Sequence, residues 1–257
     1  MPMRTYWFIF YDDQLLLRHD ATGGRIPEGP VAPLVIDHWI EATFDDGTTG
    51  RVATVDAPEA EAPYRFVGLR ASWSILSAEW YAKAGKARQL AYWDQHSRFC
   101  PACGTATAQV GPIVKRCPRC GYEIYPTISP AIIVLIRRGE EVLLVHARNF
   151  KGRFHGLVAG FLEVGETLEA CVRREVCEET GLEIANITYF DSQPWPYPSG
   201  LMVGFVADYV SGEIKLQDEE LSAGAFFTRD NLPELPQKLS IARRLIDWWL
   251  ATTAPKV

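Results

Sequence analysis

Residues 160–182, GFLEVGETLEACVRREVCEETGL, restrict the fold of this chain more than any other stretch. A glycine-bearing loop runs into an amphipathic helix that carries Arg174, Glu175, Glu178 and Glu179 late in its course, and Gly181 closes it. Each helical residue turns about 100°, so Glu175 and Glu179 lie about 40° apart, with Glu178 on the flank of the same face. Leu168, Val172 and Val176 occupy roughly that face too, so these acids are not simply on the water side. Like charges four residues apart repel, and an unpaired charge beside apolar surface is costly. A divalent cation supplies the compensation, and hard carboxylate oxygens suit Mg²⁺ or Mn²⁺. A merely solvated acidic face is the plainer alternative, but it leaves the loop, the arginine and the glycines unexplained.

The spacing resembles a known signature. Gly160, five residues, Glu166, seven residues, then Arg174-Glu175-Val176-Cys177-Glu178-Glu179-Thr180-Gly181-Leu182 is similar to the motif of the Nudix hydrolases at every defined position. The resemblance implies a metal-assisted hydrolase acting on a nucleoside diphosphate linked to another moiety. The rest of the chain must identify that moiety.

A length of 257 residues accommodates one large domain or two modest ones, and 47% apolar residues suffice for real cores. A net charge of −6 argues against a dedicated nucleic-acid binder while leaving room for a local basic patch. No run approaches the roughly eighteen apolar residues of a membrane span. The start, MPMRTYWFIFYDDQLLLRHD, lacks the apolar core and small-residue cleavage site of a signal peptide. Four of the six cysteines are clustered in pairs and two sit on the acidic helix, which is not a disulfide framework. A reducing, cytoplasmic setting is therefore expected, with no membrane partner.

We divide the chain into an N-terminal α+β domain over residues 1–95, a zinc ribbon over 96–126, and a hydrolase domain over 127–257. In the first, residues 6–10 and 14–17 are expected as strands around an Asp12-Asp13 turn, 34–44 as a further strand, and 51–55 as its partner. Residues 72–97 have helical periodicity, and Gly85 is expected to break them into two helices. Nothing in this domain carries chemistry by itself, and a structural or dimerising role is expected. Cys100-Pro-Ala-Cys103, thirteen residues, then Cys117-Pro-Arg-Cys120 form paired knuckles. Four thiolates with no place left for water make a closed, structural Zn²⁺ site. Arg98, Lys115, Arg116 and Arg119 around it raise a second possibility, a grip on nucleic acid. Residues 131–136, AIIVLI, are apolar throughout and read as a strand buried on both faces. A hairpin at 137–141 returns through 142–146, and 157–159 feeds Gly160. Strands are expected over 184–192, 201–210, 213–216 and 225–228, and a closing amphipathic helix over 241–250. This mixed α+β order agrees with the α/β/α sandwich that the resemblance implies. His146 and His155 are expected as structural residues.

The stretch Gln193-Pro194-Trp195-Pro196-Tyr197-Pro198-Ser199-Gly200 has three prolines at alternate positions, which stiffen a loop that presents two flat rings. By chemistry alone Trp195 reads first as a packing anchor and only second as a ligand platform. The stretch resembles the SQPWPFPxS array of the NADH pyrophosphatase subgroup of Nudix enzymes, about ten residues past the motif as in that subgroup. Tyr197 stands for Phe and Gly200 for the final Ser, whose hydroxyl is lost or supplied by Ser199.

The resemblance spans the chain, strongly from Cys100 onward and loosely before it. It implies cleavage of the pyrophosphate of NADH or NAD⁺ to nicotinamide mononucleotide and AMP, extending to the 5′ NAD cap of RNA, in a homodimer. It makes Glu175 and Glu179 ligands of two or three Mg²⁺ or Mn²⁺ ions, joined by the Ala159 carbonyl, with Glu178 a further ligand or the base. Arg174 would orient Glu166 or Glu178. Of Asp218, Glu219 and Glu220, Glu220 fits the distant acid best. Phe161 would stack the nicotinamide, Trp195 the adenine or the edge of a partner's pocket, and Tyr125, Ala242 and Arg70 match further substrate contacts. Two alternatives stay open: hydrolysis of another diphosphate such as ADP-ribose, and a catalytically silent zinc-ribbon protein that binds RNA.

Overall fold

The computed structural model describes residues 5–21, 23–148, 152–217 and 219–252. The chain divides into two compact units, Met1–Ile128 with Pro194–Ser199, and Ser129–Gln193 with Gly200–Val257. Among the described residues no helix is long and apolar enough to cross a membrane.

The first unit opens with β1 (Thr5–Tyr11), β2 (Gln14–Asp20), β3 (Gly23–Arg25), β4 (Glu28–Gly29), β5 (Ile40–Thr43), β6 (Thr49–Thr54) and β7 (Tyr64–Gly68), then α1 (Ala78–His96). The apolar run in β1 makes it the central strand. It pairs antiparallel with β2 and β4 and parallel with β6, while β5 extends β6 and β7 extends β2. The Ser77 side chain caps the start of α1 by accepting from Trp80 N at 3.3 Å. The helix does not break at Gly85: a Cβ there would meet the Pro196 ring at 3.3 Å, so this glycine serves close approach. The strand expected over 34–44 is confined to β5. Residues 32–39 form an irregular cover in which Ala32, Leu34, Ile36 and Trp39 pack on Trp7, Ile9 and Leu16.

Three short strands, β8 (Ala108–Gly111), β9 (Val114–Arg116) and β10 (Glu123–Ile124), form a separate sheet that carries the cysteines. A buried ion pair joins this sheet to α1. Lys115 Nζ lies 2.6 Å from Asp94 Oδ1 and donates to the Asp94 carbonyl at 2.9 Å.

The second unit contains β11 (Ser129–Arg138), β12 (Glu141–Ala147), β13 (Val158–Phe161), α2 (Leu168–Thr180), β14 (Glu183–Trp195), β15 (Gly200–Ser211), β16 (Leu221–Thr228) and α3 (Ile241–Thr252). The sheet order is β14-β15-β11-β12-β16, with β13 also on β11. β11 is buried on both faces, as its composition requires. Ile132, Val134 and Ile136 pack with Val172 and Val176 of α2, whereas Ile133 and Leu135 pack with Leu245, Ile246 and Trp249 of α3. The unit is therefore an α/β/α sandwich. Residues 213–216 are not a strand. Their backbone serves α2 instead: Lys215 N donates to the Thr180 carbonyl and Gln217 N to the Glu179 carbonyl, satisfying acceptors that every helix end leaves orphaned.

The two units share a topology. A central strand (β1 or β11) has antiparallel neighbours (β2 and β4, or β12 and β13) and a parallel one (β6 or β15), with β5 or β14 outside the latter. Where the second unit inserts α2, between β13 and β14, the first has only the irregular cover of residues 32–39.

Candidate active site and metal centre

Helix α2 is defined by its own ends. Thr167 Oγ1 accepts from Ala170 N at 3.2 Å, and Gly181 closes the helix in a left-handed conformation (φ 69°). Against β13 the helix comes very close. A Cβ on Gly160 would stand 1.9 to 2.2 Å from the Glu175 carboxylate, so only glycine leaves room for that group.

Arg174 organises the acids. Its Nε and Nη2 donate to the two oxygens of Glu166 at 2.9 and 3.0 Å, and its Nη1 donates to Glu175 at 2.9 Å and Glu178 at 3.1 Å. Its Nη2 also reaches the Phe161 carbonyl at 3.0 Å, which ties the leading loop to the helix. The two partners expected for Arg174 are thus both present, with Glu175 as a third. Beside this guanidinium the Glu166 carboxyl is held down at about 2. Glu175 and Glu179 shift the other way. Burial, then the neighbouring glutamates, push Glu179 up to about 8; burial raises Glu175 as well, against the pull of Arg174. Glu220 adds to the repulsion at both, whereas Glu178 is half exposed. Buried carboxylates that resist ionisation for want of a counter-charge form a donor set suited to a hard divalent cation. Asp218 lies outside the described residues. Ala159 sits in β13 opposite Ile133, and the Phe161 ring is 66% exposed.

Other residues of interest lie in the first unit. The Arg70 guanidinium stands over the Trp195 ring at 5.0 Å and the Tyr197 ring at 4.7 Å, and those rings meet edge-on at 5.1 Å. The hydroxyl of Tyr197 bonds that of Tyr81 at 2.6 Å. Pro196 is buried, Pro194 and Pro198 are exposed, and Ser199 Oγ donates to the Thr127 carbonyl at 2.7 Å. Tyr125 is half exposed and donates to Glu123 at 2.8 Å. The proline stretch is not wholly a loop. Its first residues continue β14, an edge strand where Pro194 breaks no interior ladder, and Gly200 opens β15.

Gln193 and Ala242 belong to the second unit. Gln193 Nε2 donates to the Leu239 carbonyl at 2.9 Å and its Oε1 accepts from Ile241 N at 2.7 Å, which caps α3. Ala242 is buried in the α3 core. Sequence reasoning missed Tyr81, for which a tyrosine in a helix gives no signal.

The four cysteines converge. Their sulfurs all lie within 4.8 Å of one another, with Cys100–Cys120 and Cys103–Cys117 at 3.5 Å. Tetrahedral thiolates about 2.3 Å from one ion would be separated by about 3.8 Å. The knuckles repeat one pattern: Cys100 N donates to Thr105 O and Gly104 N to Cys100 O, as Cys117 N does to Tyr122 O and Gly121 N to Cys117 O. The tetrad is the only such cluster among the described residues, so the glutamates stand further apart than the thiols. Cys171, on α2, is buried with its thiol pushed up to about 12. His146 is held structurally, bonded to Ser222 and the Gly152 carbonyl at 2.8 Å each.

Comparison with known proteins agrees with this arrangement. A family profile described as "NUDIX domain" matches residues 127–249, and one described as "NADH pyrophosphatase-like rudimentary NUDIX domain" matches residues 4–93. The chain is 49% identical over 172 residues to a Pseudomonas aeruginosa protein named NAD-capped RNA hydrolase NudC, an alignment covering 66% of this chain and 62% of that protein. A Stutzerimonas stutzeri protein of the same name is 41% identical over 207 residues, covering 80% of this chain and 75% of that one. The crystal structure of a NUDIX hydrolase from Nitrosomonas europaea superposes with a TM-score of 0.50 at 21% identity, covering 60% of this chain and 90% of that one, a likeness of fold alone. From the Arg174 network, the shared topology of the two units and these matches together, it follows that the chain belongs to the Nudix hydrolase family, among the members that carry a rudimentary Nudix domain ahead of a complete one.

Proposed function

We propose that this chain hydrolyses the pyrophosphate of NADH or NAD⁺ to nicotinamide mononucleotide and AMP, and removes the 5′ NAD cap from RNA. The observation that carries the reading is the Arg174 network on Glu166, Glu175 and Glu178, with Glu179 buried and uncompensated beside it. Glu175, Glu179 and Glu220, joined by the Ala159 carbonyl, would hold two or three divalent ions, Mg²⁺ or Mn²⁺. When bound, such ions neutralise phosphate charge and lower the pKa of a bound water. Arg174 fixes the helix acids and, through the Phe161 carbonyl, the loop that presents the Phe161 ring to the nicotinamide. Glu178, the most exposed of Glu175, Glu178 and Glu179, takes a further ligand position or accepts the proton of the attacking water. Water adds to one phosphorus as the bridging P–O bond breaks.

Arg70, Trp195, Tyr197 and Tyr125 supply flat and cationic surface for the rest of the dinucleotide, along with Pro194, Pro196, Pro198, Ser199 and Gly200. Gln193, which caps the start of α3, and Ala242, in its first turn, complete the proposed set of substrate residues. The cysteine tetrad holds one structural Zn²⁺. We divide the chain at about residues 95 and 126, as the sequence suggests, and infer a cytoplasmic homodimer.

The test is a substrate panel of NADH, NAD⁺, ADP-ribose, FAD and NAD-capped RNA with Mg²⁺ or Mn²⁺. NADH and NAD-capped RNA should lead by kcat/KM; a much better ADP-ribose would refute the reading. Glu178→Gln should cost on the order of 10²- to 10⁴-fold in kcat with the fold intact.

A further inference from the structure

The zinc ribbon has an unusual surface. Phe99 (65% exposed), Val110, Ile113, Tyr122 (48%), Tyr125 and Ile128 are half of the exposed large apolar side chains among the described residues, and all lie within residues 99–128. Residues 98–128 carry Arg98, Lys115, Arg116 and Arg119 against a single carboxylate, Glu123, in a chain whose net charge is −6. Lys115 is spent on Asp94 and Arg116 on Glu123, but Arg98 and Arg119 are exposed. Exposed rings that follow exposed cations closely in sequence (Phe99 after Arg98, Tyr122 after Arg119), on a chain of net charge −6, are the groups on which unpaired bases stack while their phosphates are neutralised. The segment is also tied to the substrate stretch by one hydrogen bond. Ser199 bonds the Thr127 carbonyl, two residues past Tyr125 and five past Tyr122.

We propose that the ribbon is a binding surface for single-stranded RNA, with Tyr122 and Phe99 stacking bases and Arg98 and Arg119 meeting phosphates. This deepens the proposed function: the capped end would be cleaved by the glutamate site, and the ribbon would hold the nucleotides that follow. The metal then has a second consequence, since the tetrad fixes Tyr122, whose carbonyl accepts from Cys117 N. A free dinucleotide has no such tail and gains nothing from the ribbon.

The experiment uses the full zinc-loaded chain and the variants Tyr122→Ala, Tyr122→Phe and Arg98→Ala/Arg119→Ala. kcat/KM is measured for NADH and for a capped RNA with an unpaired 5′ region, and anisotropy follows binding of an uncapped single-stranded RNA at several salt concentrations. Tyr122→Ala should lower capped-RNA kcat/KM and RNA affinity about fivefold or more, the low end for loss of one stacked base. NADH turnover should stay within twofold. Tyr122→Phe, which keeps the ring, should behave as the parent does. The double arginine variant should weaken binding and flatten its dependence on salt. Equal losses on NADH and capped RNA, or no loss on either, would overturn the proposal. So would a change in sedimentation of the variants, which would assign the patch to a second copy of the chain. The binding arm decides the question even if the parent protein fails to cleave NAD, in which case only the proposed activity falls. Zinc content of each variant identifies an unfolded ribbon, and the arginine pair, outside the knuckle backbone, then serves alone.

Discussion

Gly160→Ala isolates the closest contact in the proposed catalytic site. The new methyl group would stand 1.9 Å from the Glu175 carboxyl carbon and 2.0 and 2.2 Å from its oxygens. Ordinary contact needs about 3.5 Å, so the carboxylate must retreat by about 1.5 Å or α2 must lift from β13. Glu175 has little freedom to do so: it is 9% exposed, and its oxygen is held 2.9 Å from Arg174 Nη1. A misplacement of about 1 Å costs on the order of 10²-fold in rate when the group positions the reaction. Overpacking of this kind also costs about 1–3 kcal/mol of stability. We expect kcat for NADH to fall at least about 10²-fold at saturating metal, while urea unfolding shows a folded protein with a modest loss. Gly68→Ala is the matched control, because a Cβ there meets nothing within 4 Å. A Gly160→Ala enzyme with kcat within threefold of the parent would refute the claim that Glu175 must occupy this position.

Three further predictions rest on separate contacts. Glu179, pushed up to about 8, is protonated in the folded metal-free chain where the unfolded carboxyl has already ionised. Folding therefore binds a proton between about pH 4.5 and 8, and the metal-free melting temperature should fall as pH rises through that window. The gain from added Mg²⁺ or Mn²⁺ should be larger at pH 8 than at pH 5.5; a pH-independent gain would remove Glu179 from the metal site. Tyr81→Phe and Tyr197→Phe should each cost about 1 kcal/mol by orphaning one hydroxyl, and the double variant little more than either single, since both hydroxyls then go; additive losses in urea unfolding would deny the coupling. Lys115→Met leaves the buried Asp94 with only His38, whose Nε2 lies 3.0 Å from Oδ2, and should cost about 3 kcal/mol; a loss under about 1 kcal/mol would mean that the Lys115 pair is not buried in solution.

Much of the second unit was legible in the sequence because its signals are local. Thr167 and Gly181 bound α2 by bonds within one turn. The apolar run of β11 announces burial on both faces whatever lies there; in the first unit the cysteine knuckles likewise fix their own geometry, through backbone bonds four and five residues long. Errors arose where a distant partner decides. The helix runs through Gly85, and the glycine is there to admit Pro196, 111 positions away, whose ring a Cβ would meet at 3.3 Å. Residues 213–217 satisfy the end of α2 rather than a sheet. A further contact set by a distant partner is that of Gln193, whose carboxamide meets the start of α3 at both ends while the residue keeps its proposed place by the substrate.

The sequence alone determined which chemistry the chain carries: an acidic helix that needs a cation, a closed thiolate site and a stiff aromatic stretch. Spacing within a helix, a knuckle or a proline run is set by neighbouring residues, so it can be read without knowing the fold. Only the tertiary structure decided that Gly160 clears the space for Glu175, that Tyr81 holds Tyr197, and that the first unit repeats the topology of the second with a loop in place of α2. Those facts depend on surfaces brought together from far along the chain, and no local pattern encodes which surfaces meet.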